Sequence, residues 1–228
     1  MPELKIVCIS DTHGMHERVR VPEGDILIHA GDFMAYGNRT SEIVSFNDWL
    51  LRQPHRIKIV VAGNHDLLFE SHPDIAKPLL TAGVYLENSG IEIEGVRIWG
   101  SPVQPRFLNW AFNVDRGPAI REYWDMIPSS TDILITHGPP YGMLDTVIPS
   151  GEHLGCDELM KAVQRVRPKV HVFGHIHGGS GTSSLQGARF VNASVLDEQY
   201  RIAYEPRTIS LERSRLRTPS ELGVDWRP

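Results

Sequence analysis

Cysteine is scarce: the chain has two, Cys8 and Cys156, far apart. A disulfide framework or a thiolate metal site would need more. Cys8 lies inside an apolar run and reads as a small buried hydrophobe. Long apolar stretches are missing too, and none approaches the ~18 residues of a membrane span. No basic segment is followed by a signal-length apolar one, so a cytoplasmic location is expected. An excess of positive charge is also lacking. Lys and Arg number 23 against 28 Asp and Glu, a formal net charge of -5. Such a chain has no general attraction for duplex nucleic acid or an anionic membrane. What remains is an ordinary globular composition, 41% hydrophobic over 228 residues, enough for one substantial core. We expect a single domain over 1–211 and a polar, poorly packed tail over 212–228.

Five short apolar runs share one pattern: 4–9, 25–28, 58–61, 132–135 and 169–173. Each is rich in Val, Ile and Leu and too short for a typical helix, so each predicts a buried strand. Apolar residues at helical spacing predict helices over 41–51, 120–127 and 155–166. Two regions predict short strands with turns: 84–100, around Ser89-Gly90 and Glu94-Gly95, and 181–205, around Gln186-Gly187. The fold class is α/β (α+β), with mixed rather than purely parallel sheets.

Every one of the five runs ends in chemistry. They are followed by Asp11-Thr12-His13-Gly14, Gly31-Asp32, Gly63-Asn64-His65-Asp66, His137-Gly138 and Gly174-His175-Ile176-His177. Sites in open α/β sheets form just outside the carboxyl ends of strands, so five segments are expected to converge. Carboxylate, amide oxygen and imidazole suit borderline divalent ions such as Mn, Fe, Zn, Co or Ni. Asp11, His13, Asp32, Asn64, His137, His175 and His177 are seven candidate ligands. A structural zinc takes about four; seven, with one carboxylate shared, fit two ions that keep positions open for water or substrate. The remaining histidines are expected elsewhere: His29 and His171 in the core, His16, His55 and His72 facing solvent, His153 in a loop that could border the site.

These motifs resemble the calcineurin-like metallophosphoesterases. The segments 25–33, 46–50, 136–140 and 166–174 resemble one branch in particular, the small metallophosphoesterase-domain-containing proteins, which are similar to class III cyclic nucleotide phosphodiesterases. The resemblance runs from about Ile6 to Ser194. It implies a four-layer β-sandwich of two mixed sheets flanked by helices, with the metals at one edge. It also implies a division of ligands: Asp11, His13, Asp32 and His177 on one ion; Asp32, Asn64, His137 and His175 on the other, Asp32 bridging. Some animal members of the branch lack the histidine that His175 matches and are weak enzymes; this chain keeps it.

The chemistry expected is hydrolysis of a small phosphate ester, such as a cyclic nucleotide, by a metal-bridged hydroxide, with manganese the ion best suited to support activity. Asn64 is expected to hold the phosphoryl group. His65 is expected to act as general acid, with Asp66 either fixing its tautomer or serving as the N-terminal acid of a helix. Trp110 and Asn113 are candidate substrate contacts, able to stack on and read a base, although aromatics in such a loop also serve to pack it onto the core. Arg106 and Arg116 could meet a phosphate. Pro139-Pro140-Tyr141-Gly142 is expected to wall the site, and Gly178-Gly179 to leave room beside His177. The expected molecule is a monomer or homodimer without membrane or duplex partners. A protein phosphatase, a nucleotide-binding regulator with weak turnover and a scaffold subunit remain open alternatives.

Overall fold

The structure, a computed structural model, describes residues 3–212; most of the expected tail lies outside the described residues. The chain runs β1 (Glu3–Ile9), β2 (Ile26–His29), α1 (Thr40–Arg52), β3 (Ile57–Val60), α2 (Leu67–Ser71), α3 (Pro73–Leu79) and β4 (Val84–Tyr85). It continues through β5 (Ser89–Ile93), β6 (Val96–Ser101), β7 (Gln104–Pro105), β8 (Asn113–Val114), α4 (Pro118–Asp125) and β9 (Ile133–Thr136). It closes with α5 (Asp157–Val166), β10 (Val170–Phe173), β11 (Gly181–Leu185), β12 (Ala188–Asn192) and β13 (Arg207–Glu212).

Two sheets form, in the orders β13-β1-β2-β3-β4 and β11-β12-β10-β9-β6-β5, beside a small β7-β8 ribbon. The inner strands of each sheet are parallel, while β13, β11 and β5 are antiparallel edges. Strand alternation separates the layers. In β1, Leu4, Ile6 and Cys8 join Ile28, Ile59, Ile98, Ile135 and Val172 in a core between the sheets. Val7 and Ile9 face the other way, onto Phe46, Trp49 and Leu50 of α1 and Phe69 of α2. The outer face of the second sheet packs Leu134, Phe173 and Phe190 against Trp124 of α4 and Leu159 and Val163 of α5. The four layers match the expected architecture.

Several local expectations are corrected. Ser89-Gly90 lies inside β5 rather than at a turn; Glu94-Gly95 makes the hairpin, both residues at positive φ. Residues after Asn192 form no further strand until β13, whose pairing with β1 extends to Glu212. That residue was expected to begin the tail. His16 and His55 are buried, not solvent-facing. His16 sits against Phe46 and Trp49 and bonds Ser45. His29 and His171 are buried as expected, each bonded to a threonine hydroxyl, Thr12 and Thr136 respectively.

Candidate metal centre

Asp11 and His13 follow β1, Asp32 follows β2, Asn64 follows β3, His137 follows β9, and His175 and His177 follow β10. The first sheet supplies the carboxylates, His13 and the amide; the second supplies three imidazoles. Six of the seven side chains meet, together with His65, in three overlapping groups: Asp11, His13 and His177; His13, Asp32 and His65; Asp32, His137 and His175. Within each group the donor atoms lie within 4.8 Å of one another. One oxygen of Asp32, Oδ2, stands 3.6 Å from His13 Nε2 and 3.4 Å from His137 Nε2. Asn64 Oδ1 lies 2.9 Å from His137 Nε2, and Asp11 Oδ1 lies 3.6 Å from His177 Nε2.

The backbone bends sharply to bring these groups together. Asp11, His13, Asp32 and His175 all have positive φ, a conformation that costs a side-chain-bearing residue energy and clusters at functional sites. Close approach dictates two glycines. A Cβ at Gly174 would collide with the Asp11 carboxylate and Ser10, and one at Gly63 with the Asp32 carboxylate and the His137 ring.

Two imidazoles are oriented through the nitrogen that faces away from the cluster. His137 Nδ1 donates to the Ala30 carbonyl at 3.0 Å, and His177 Nδ1 to the Asp197 carbonyl at 2.9 Å. Both leave Nε2 as the inward lone pair, the arrangement typical of metal-ligating histidine. His13 Nε2 is buried and has no hydrogen-bond partner among the described residues. Burial pushes His13 down to about 4 and His175 down to about 3, so both are neutral at ordinary pH and able to ligate. Burial opposes charge on Asp11 and Asp32, yet His177 beside the first and His137 beside the second hold both carboxyls below their usual range. Conversely, His137 rises against its burial to about 9 because Asp32 faces it. Cations among these donors would neutralise the carboxylates in place of such protons. The donor set and its orientation therefore fit divalent metal.

Asp66 is not bonded to His65. It is fully buried, and its carboxylate accepts the backbone N–H groups of Asp32 (2.9 Å), Met34 (2.9 Å) and Gly63 (2.7 Å). Nor does it cap α2 with its side chain. Asp66 ties the loop after β2 to the loop after β3.

A cleft of roughly 430 Å³ opens over the cluster. His13, Asp32, Asn64 and His65 form its floor, and Trp110, Pro139, Leu154 and Tyr200 contribute walls. Arg106 and Arg116 also line it, the former paired with Asp115, the latter holding the carbonyls of Leu154 and Gly155. Asn113 is not on the wall. Its amide braces its own loop, accepting from Phe107 N–H and donating to the Phe107 and Leu108 carbonyls. His153 bonds Asp145 beside the cleft, whereas the next residue, Leu154, enters it. Gly178-Gly179 leaves no open room, since a Cβ on either would meet Glu198 or the Leu144 carbonyl. Sequence reasoning missed Tyr200, whose ring lies 4.9 Å from His13 and 5.1 Å from His177. An aromatic in a short polar loop carries no periodic signal.

A cleft whose donors fit divalent metal, at the strand ends of an α/β/β/α sandwich, points to a class of metal-dependent hydrolases, and comparison with known proteins agrees. The calcineurin-like phosphoesterase family model matches residues 4–179; the chain belongs to that family and is a metal-dependent phosphoesterase. It is 43% identical to metallophosphoesterase domain-containing protein 1 of Homo sapiens, over 92% of this chain and 72% of that one, and equally to its Mus musculus counterpart. Among solved structures it is similar to the phosphopantetheinyl hydrolase of Mycobacterium tuberculosis, with a TM-score of 0.60 at 19% identity, covering 91% of this chain and 96% of that one. At that identity the likeness is one of fold.

Proposed function

We propose that the protein hydrolyses small phosphate mono- or diesters, nucleotides among them, with two divalent ions. Asp11, His13, Asp32 and His177 would hold one ion; Asp32, Asn64, His137 and His175 would hold the other. The placement of Asp32 Oδ2 between His13 and His137 carries this reading. Two such ions, manganese being well suited, acidify water and neutralise charge on a phosphoryl group. The protein's own groups do the rest. The Asn64 amide, on the cleft floor, orients a phosphoryl oxygen. His65, beside it and facing the same cleft, orients the leaving oxygen or gives it a proton. A cleft volume of roughly 430 Å³ suits a small molecule better than a folded phosphoprotein.

The test is a panel of p-nitrophenyl phosphate, its bis-ester, cyclic nucleotides, mononucleotides and phosphopeptides, run on full-length protein of measured metal content. We expect turnover of small esters with added manganese, and turnover of Asp32→Ala no greater than that of chelated protein. Tight nucleotide binding without turnover would instead make it a regulator, and preference for phosphopeptides a protein phosphatase.

A further inference from the structure

His65 stands at the metal cleft without a carbonyl, among the described residues, to orient its ring. His137 and His177 are each oriented by a hydrogen bond to a backbone carbonyl. His65 Nδ1 is buried and has no partner among the described residues. The His65 backbone N–H is anchored on Asp32 Oδ1 at 2.7 Å, but that leaves the side-chain torsions free. Ring contacts must fix them. The imidazole lies stacked on Trp110, centroids 4.1 Å apart and planes 27° apart, and meets the His13 ring in a T-shaped contact at 4.5 Å.

Trp110 is in turn stitched to the segment that carries His65. The next residue, Ala111, donates its N–H to the Asn64 carbonyl at 3.1 Å, and the Phe112 N–H donates to Glu70 Oε1 at 2.7 Å. The Phe112 ring is buried in the helix-side core, and the Asn113 amide clasps the base of the loop. Indole and imidazole thus ride on two hydrogen-bonded backbone segments, and the indole spends one face on the imidazole.

We propose that Trp110 is the positioning residue for His65, setting the imidazole's orientation toward the bound ester, rather than a stacking platform for the substrate. The proposal rests on the reading that His65 acts at the ester. Displacing a catalytic group by about 1 Å costs on the order of 10²-fold in rate, and loss of the stacked ring removes the contact that covers one face of the His65 imidazole.

The experiment is a double-mutant cycle of Trp110→Ala and His65→Ala in the manganese-loaded full chain, with Trp110→Phe as the conservative variant. Each is assayed on an alkyl ester and an aryl or nucleotide ester, with metal content and melting temperature recorded. We expect Trp110→Ala to lower kcat about 10²-fold on both substrates with little change in KM and with metal content retained. Phe should restore most of the rate, and Trp110→Ala should add nothing in the His65→Ala background. A rise in KM confined to aryl or nucleotide esters would overturn the proposal in favour of a substrate platform. Additive losses in the cycle, or a rate loss that follows lost metal, would overturn it in favour of general structural support. Should Trp110→Ala fail to fold, the Phe variant and Trp110→Leu decide: Phe must outperform Leu in kcat, and equal rates reject the idea. An inactive wild type would instead refute the functional reading itself.

Discussion

Three backbone N–H groups converge on the buried carboxylate of Asp66, and two belong to Asp32 and Gly63, in the loops that carry the candidate metal ligands. An asparagine there would turn an amide NH2 toward an N–H and leave a donor unsatisfied. Asp66→Asn should therefore lower stability by about 1–3 kcal/mol and weaken metal retention. Denaturant melts and the metal content of dialysed protein test this, and wild-type values in both would reject it. At this scale the sequence is legible where residue type states the chemistry. Asp, Asn and His at five strand ends mark candidate ligands, and the structure brings all seven together. Asp66 is less legible, because the same letter serves as base, cap or backbone staple depending on which N–H groups face it. His16 and His55 mislead for a similar reason: polar neighbours in the chain say nothing of the side of a fold on which a loop closes.

Arg121 of α4 joins that helix to Glu158 of α5, and Lys161, one turn further along α5, takes the same carboxylate; Arg121 Nε lies 2.7 Å and Lys161 Nζ 2.8 Å from it. Arg121 first and Lys161 second pull the Glu158 carboxyl down to about 2. The group is depressed in the fold, so its stabilisation is present above the unfolded pKa of about 4.3 and lost as pH falls through about 2. The melting temperature of Glu158→Gln should lie below wild type at neutral pH and converge with it over that acid window. A gap independent of pH would assign the effect to packing instead. Parallel strands buried on both faces announce themselves as apolar runs, hence the agreement for β1, β2, β3, β9 and β10. The short helices α2 and α3 escape, because Pro73 and Pro78 read as breakers although the first stands at a helix start, where its missing N–H costs nothing. The β7-β8 ribbon escapes as well, since two-residue strands are too short to show periodicity.

For the molecule as a whole, metal and fold are thermodynamically linked. Ions that bind the native cluster and not the unfolded chain stabilise by about 2.7 kcal/mol per site at a hundredfold excess over Kd. That corresponds to roughly 5–10 °C in melting temperature per site for a chain of this size. Chelation should lower the melting temperature by such an amount and re-addition of manganese restore it; a melt indifferent to chelator would count against a metal centre. Among the described residues no helix is long and apolar enough to cross a membrane. The candidate donors come from both sheets, Asp11, His13, Asp32 and Asn64 from one and His137, His175 and His177 from the other. Neither sheet supplies the full donor set of either proposed ion, so complete cation uptake is expected only once the sandwich has closed and the turn after β10 has been made. Ions held as proposed would act as a latch on a finished protein, not as a seed for folding, and their expected signature in kinetics is slower unfolding with an unaltered folding rate.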